Sequence, residues 1–146
     1  MFEGGRLNYI CKRTQVKSFK VKKKVLVVED DKVNAFIIKK LISDKFEPEF
    51  AYNPEEAKVA FKRNDDFFAV LMDMDLGDAE VDGADLLKIA KADKQFSHVP
   101  VVATTAYALD GDREKFLKMG FDEYLSKPID KVELIGLLES LEASAG

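Results

Sequence analysis

Phe67-Phe68-Ala69-Val70-Leu71-Met72-Asp73-Met74-Asp75 is an unbroken apolar run that ends abruptly in acids. An apolar run this short and continuous predicts a strand buried on both faces, as in a parallel sheet covered by helices on either side. Val25-Leu26-Val27-Val28 repeats the pattern upstream with β-branched residues, and it too runs into acids, Glu29-Asp30-Asp31. Phe46 to Tyr52 reads as a second, less regular strand. His98-Val99-Pro100-Val101-Val102-Ala103 predicts a fourth, leading into Thr104-Thr105-Ala106. Glu123-Tyr124-Leu125 predicts a short fifth, leading into Ser126-Lys127-Pro128.

Amphipathic stretches separate these runs. Val33, Phe36, Ile37 and Leu41 recur at helical spacing. Asn53-Pro54-Glu55-Glu56 is a helix start, with a capping side chain, proline at the first helical position and acids in the first turn. That helix is expected to reach about Arg63. Leu86, Leu87 and Ala90 form the apolar side of the next, residues 108–119 make another that Gly120 stops, and Val132 to Leu141 build the last. Five β–α units joined by short connections predict a doubly wound parallel sheet with helices on both faces. Ligands of such sheets bind at the carboxyl ends of the strands, where the strand order reverses.

The composition limits the alternatives. The chain has 146 residues, room for one domain with a real core and no need of disulfides or metal staples. Cys11 is its only cysteine, which removes a disulfide framework, a CxxC redox pair and a zinc knuckle. No apolar run approaches ~18 residues, so no membrane span is expected, and the N-terminus lacks a signal-peptide pattern. Net charge is −4, yet residues 1–24 carry +7, leaving −11 on the rest. An acidic body repels nucleic-acid phosphates, so no direct nucleic-acid contact is expected. Residues 1–23 read as a basic, solvated arm, 24–143 as the domain and 144–146 as a tail.

The strand ends would bring three or more carboxylates to one rim, facing a hydroxyl and an ammonium. Crowded carboxylates repel, and a hard cation such as Mg²⁺ relieves them while keeping sites for water and phosphate. An aspartate beside Mg²⁺ can attack phosphorus to form an acyl phosphate, and a lysine and a hydroxyl suit the transferred oxygens. Taken singly, each segment has a plainer reading. Glu29-Asp30-Asp31 could cap the following helix, Thr105 could be an ordinary strand residue, and Lys127 could lie on the surface. Four coherent segments at four strand ends favour a phosphoryl-accepting site. His98, the sole histidine, reads as a surface or edge residue, so the phosphoryl group has to come from elsewhere.

Together, Val25 to Asn34, Leu71-Met72-Asp73-Met74-Asp75-Leu76-Gly77, Asp82-Gly83, Ala103-Thr104-Thr105-Ala106 and Tyr124-Leu125-Ser126-Lys127-Pro128 resemble the response-regulator receiver domain of two-component signalling. The resemblance covers Lys24 to about Leu141 and implies a five-stranded (βα)5 flavodoxin-like fold in the cytoplasm. It implies that Asp73 accepts a phosphoryl group from a partner's phosphohistidine, on a histidine kinase or histidine phosphotransfer protein. It further implies that Asp30 binds Mg²⁺ directly, Glu29 through water, Asp73 beside them, and Asp75 through its backbone carbonyl. Thr105 and Lys127 would contact the phosphoryl group, and the Lys127–Pro128 peptide would be cis. Tyr124 and Tyr107 would serve as switch and tuning positions along with Asp75 and Pro128. A downstream protein would read the change through the fourth and fifth α/β units. Such a domain is not an enzyme in the usual sense, since it catalyses only its own phosphorylation and dephosphorylation. Because no output domain is expected after the last helix, a free-standing regulator and the receiver of a hybrid kinase look alike.

Two departures stand out. Gly77 takes a position where the family often has proline, and the acidic stretch from Gly77 to Val81 is longer than usual. An alternative is a small haloacid-dehalogenase-type phosphatase, whose DxD motif the Asp73-Met74-Asp75 segment also resembles. In that reading Asp73 would be the nucleophile and Asp75 the acid–base catalyst.

Overall fold

A computed structural model describes residues 21–63, 65–77, 80–106 and 109–145. Most of the basic arm and Tyr107 lie outside the described residues. Ten elements alternate among the described residues: β1 (Lys24–Val28), α1 (Lys32–Ile42), β2 (Glu47–Ala51), α2 (Pro54–Lys62), β3 (Phe67–Asp73), α3 (Gly83–Ala92), β4 (Val101–Thr105), α4 (Asp112–Met119), β5 (Glu123–Ser126) and α5 (Lys131–Ala145). All strand pairs are parallel, and the sheet order is β2-β1-β3-β4-β5. The chain steps from β1 outward to β2, then returns to place β3 on the other side of β1. That reversal makes the carboxyl ends of β1 and β3 the switch point where a site is expected.

The unbroken apolar runs exist because each strand feeds two cores. Leu26, Val28, Val70, Met72, Val101 and Ala103 pack on one face with Ala57, Ala60 and Phe61 of α2, Leu86, Leu87 and Ala90 of α3, and Phe116 of α4. Their neighbours Val25, Val27, Ala69, Leu71 and Val102 pack on the other with Ile38 and Ile42 of α1 and Leu134 and Leu138 of α5. Burying a side chain such as Phe61, with its ring 4.8 Å from that of Phe96, stabilises the fold by about 1.5–3 kcal/mol. With both faces filled, only the strand ends are left for chemistry.

Local sequence sets the boundaries. Asn53 caps α2 by accepting from the Glu56 amide at 2.8 Å, with Pro54 behind it. Asp82 and Asp85 cap α3 reciprocally in a capping box. A Cβ at Gly83 would lie 2.6 Å from the Asp73 carbonyl oxygen, so only glycine lets α3 start this close to the end of β3. Three boundaries depart from the sequence expectation by three residues or more. β4 begins at Val101 rather than His98, because Val99 turns into the core and Pro100 has no N–H to give a ladder; only its carbonyl pairs, with the Val70 amide. α4 begins at Asp112 rather than 108, because Gly111 stands at φ +86°, a left-handed backbone that a helix cannot continue through. α5 runs on to Ala145.

Candidate functional site

Parallel register sets the strand ends level with one another. Val28 lies opposite Met72, Asp73 opposite Thr104, and Thr105 opposite Ser126. Asp73 is therefore the last residue of β3, held opposite Thr104 in the ladder. Glu29 continues the path of β1, its amide donating to the Ala51 carbonyl at 3.0 Å. Lys127 follows β5, its amide donating to the Thr105 carbonyl at 2.8 Å, and the Lys127–Pro128 peptide is cis. These backbone ties aim three ionisable side chains into one space.

The Lys127 ammonium donates to Glu29 Oε1 at 3.0 Å and pairs with Asp73 Oδ1 at 3.1 Å. Both acids are buried, Glu29 to 1% and Asp73 to 2% relative exposure. Asp30 is exposed at the mouth, and ligand oxygens of Glu29, Asp30 and Asp73 lie within 4.8 Å of one another. One ammonium thus faces two buried carboxylates, with a third beside them. The imbalance is visible at Glu29, whose pKa is pushed from 4.5 to about 7. Burial is the largest cause, the bond and charge of Asp73 add to it, and Lys127 opposes it. Burial works against the Lys127 ammonium as well, but the bond to Glu29 and the charges of Asp73 and Glu29 together outweigh it and raise its pKa.

The other expected residues are near but differently engaged. The Asp75 amide donates to Asp73 Oδ1 at 2.9 Å, while Asp75 Oδ2 accepts from Thr105 Oγ1 at 3.5 Å and the Ala106 amide at 3.4 Å. Thr105 is buried at the end of β4. Tyr124 is half-buried, its ring stacked on Phe116 of α4 at 5.3 Å. Pro128 lines a cleft of about 100 Å³ with Glu29, Asn34, Ile37, Ile38, Lys127 and Ile129. His98 is exposed in the turn before β4 and lines a groove with Lys23 and Phe67, at the starts of β1 and β3. Asp73 ends β3, about 20 Å along the strand from that groove.

The sequence reading missed one contact to the acid cluster. The Gly77 amide donates to Asp30 Oδ2 at 2.7 Å. The signal was available, because the proline common at this position has no N–H and could not make the bond. A Cβ at Gly77 would also come within 2.9 Å of Asp30 Oδ2.

The donor set fits a hard divalent cation. Every candidate ligand is a carboxylate oxygen, two of the three are buried, and a single lysine leaves the buried charge uncompensated. Soft or borderline metals that prefer sulfur or imidazole find no such donor among these residues.

The family model for the response regulator receiver domain matches residues 25–139. The polar-differentiation response regulator DivK of Brucella anthropi is 35% identical over 120 residues, which cover 81% of this chain and 94% of that protein. The receiver domain of the sensor histidine kinase PA1611 from Pseudomonas aeruginosa superposes with a TM-score of 0.73 at 30% identity, covering 83% of this chain and 98% of that one. Its structure carries a magnesium ion in the active-site cleft. The receiver domain of the Francisella response regulator 1452 gives a TM-score of 0.73 at 29% identity, covering 86% and 100%. The phosphatase alternative gains no support from these matches.

Proposed function

The chain belongs to the response regulator receiver domain family of two-component signalling, and from that premise we propose that Asp73 is its phosphoacceptor. The observation that carries the proposal is the placement of one ammonium, Lys127, between buried Glu29 and Asp73, with Asp30 at the mouth. A carboxylate oxygen of Asp73 attacks the phosphorus of a partner's phosphoimidazole. The P–N bond breaks, its electron pair leaves with the imidazole, which takes up a proton, and an acyl phosphate remains on Asp73. The new group brings about −1.5 to −2 charge, and the Lys127 ammonium and Thr105 hydroxyl turn from their present partners to its oxygens. Glu29, Asp30 and Asp73, joined by the Asp75 carbonyl, would hold Mg²⁺, which when bound would supply positive charge to the phosphoryl oxygens.

The donor is a histidine kinase or histidine phosphotransfer protein, because His98 stands at the opposite end of the sheet. Val33, Phe36 and Ile37 support docking beside the site: they are 68%, 57% and 46% exposed on one face of α1, and Ile37 lines the cleft next to Lys127. The change is read by a downstream protein on the fourth and fifth α/β units, through Tyr124 and Tyr107. No helix among the described residues is long and apolar enough to cross a membrane, and we place the domain in the cytoplasm with its donor.

Incubation with Mg²⁺ and beryllofluoride, or with a small acyl-phosphate donor, tests the assignment. The expected result is a stoichiometric adduct on the full chain and none on Asp73→Asn, whose amide cannot attack phosphorus. Sustained hydrolysis of small phosphate esters that stops in Asp75→Asn would overturn it in favour of a phosphatase.

A further inference from the structure

Asp75 presents its two ends to two different neighbours. Its amide donates to Asp73 Oδ1, and its carboxylate faces the other way, accepting from the Thr105 hydroxyl and the Ala106 amide. Thr105 has little freedom except at that hydroxyl. Its backbone is paired opposite Ser126, its carbonyl holds the Lys127 amide, and the residue as a whole is 3% exposed. Its hydroxyl and the next amide together make a small anion-binding pair at the end of β4, the strand paired with β3 where Asp73 ends it.

We propose that the Asp75 carboxylate is a stand-in for the phosphoryl group, holding in the unphosphorylated chain the donors that the aspartyl phosphate would take. This inference rests on the phosphoacceptor reading of Asp73. Asp75 acts through Thr105 and is a positioning residue. At 3.4–3.5 Å both bonds are longer than the 2.7–2.9 Å usual when one partner is charged, so a closer and more highly charged acceptor displaces them. A phosphoryl group on Asp73 would also repel Asp75, adding to the displacement. Competition for the donors and repulsion have the same sign. Both oppose the phosphorylated state, and removing the carboxylate relieves both.

Amide spectra of the full chain, with and without Mg²⁺ and beryllofluoride, test this on wild type, Asp75→Ala and Asp75→Asn. Both substitutions keep the backbone N–H and carbonyl of residue 75. The free Asp75→Ala protein should show the Thr105, Ala106 and Lys127 amides displaced along the line from wild-type free to wild-type adduct. Its beryllofluoride midpoint should fall about three- to tenfold, the effect of one or two modest hydrogen bonds. Asp75→Asn, which keeps an acceptor without the charge, should lie between, and it carries the test where the alanine variant folds poorly. In a Thr105→Val background the same Asp75 substitution should lower the midpoint by less than in wild type, because the hydroxyl is gone and only the Ala106 amide and the charge repulsion remain. Free-state amides that superimpose on wild type with an unchanged or raised midpoint would overturn the role of Asp75. No adduct on wild type would instead overturn the phosphoacceptor reading itself.

Discussion

Acidification from pH 8 to pH 6 should weaken Mg²⁺ binding about tenfold, with Glu29 as the group responsible. In the metal-free chain the Glu29 carboxyl has its pKa near 7, raised chiefly by burial and then by Asp73. A cation at this site requires the ionised form, so the apparent affinity follows the ionised fraction. That fraction is about nine-tenths at pH 8, half at pH 7 and one-tenth at pH 6, a fall worth about 1.4 kcal/mol. A carboxyl left at its ordinary 4.5 would stay ionised across the whole range and give a flat profile. Calorimetric titration at fixed ionic strength measures the constant. Repeating it at pH 7 in two buffers of different ionisation enthalpy counts the proton released, expected to be about one half. Glu29→Gln should bind Mg²⁺ more weakly and lose the pH dependence. A wild-type constant that varies by less than twofold between pH 6 and pH 8, or a glutamine variant with the same slope, would refute the reasoning.

The same raised pKa bears on stability in the absence of metal. Its contribution is full below the unfolded value of 4.5 and is lost as pH rises through about 7, so Glu29→Gln should melt higher than wild type at pH 8 and show little difference at pH 4.5. Lys127→Ala should still bind Mg²⁺ but leave a phosphoryl oxygen unpaired, so beryllofluoride should no longer shift the Tyr124 amide; shifts as large as in wild type would remove Lys127 from the switch. Gly83→Ala should destabilise by about 1–3 kcal/mol in denaturant unfolding, because its Cβ meets the backbone of Asp73 at 2.6 Å and has no flexible side chain to push aside.

What the sequence disclosed depended on whether the signal was local. The doubly wound sheet was readable from Val25–Val28 and Phe67–Met72, because an apolar residue at every position only makes sense with a core on each face. The candidate site was readable at the level of which segments meet, since four of the strands run into polar groups and parallel strands end on one rim. Its contacts were not. The bond from Gly77 to Asp30 joins residues 47 apart, and that from Ala106 to Asp75 joins residues 31 apart, so no window of sequence contains both partners. The late start of β4 follows from where Val99 packs and which groups Pro100 lacks, and apolar periodicity registers neither. The late start of α4 follows from the sign of one φ angle at Gly111, which is invisible until the loop is built.

The site also has a direction. Lys127 is shared almost evenly, 3.0 Å from Glu29 and 3.1 Å from Asp73, so added charge on Asp73 must draw it from Glu29. The Lys127 amide is tied to the Thr105 carbonyl, and the Thr105 hydroxyl is engaged by Asp75, so the groups that answer to Asp73 all sit at the ends of β4 and β5. Tyr124, in β5 opposite Ala103, carries the contact onward by its stack with Phe116, which is buried under α4. The contacts around Asp73 and the stack of Tyr124 on Phe116 thus lie on the same side of the sheet. On the other side, the Glu29 amide ties the site to β2 by donating to the Ala51 carbonyl, a bond indifferent to side-chain charge. A change at Asp73 thus meets charge-sensitive side-chain partners at the ends of the fourth and fifth strands and a backbone bond toward the second, which is the physical ground for the readout proposed above.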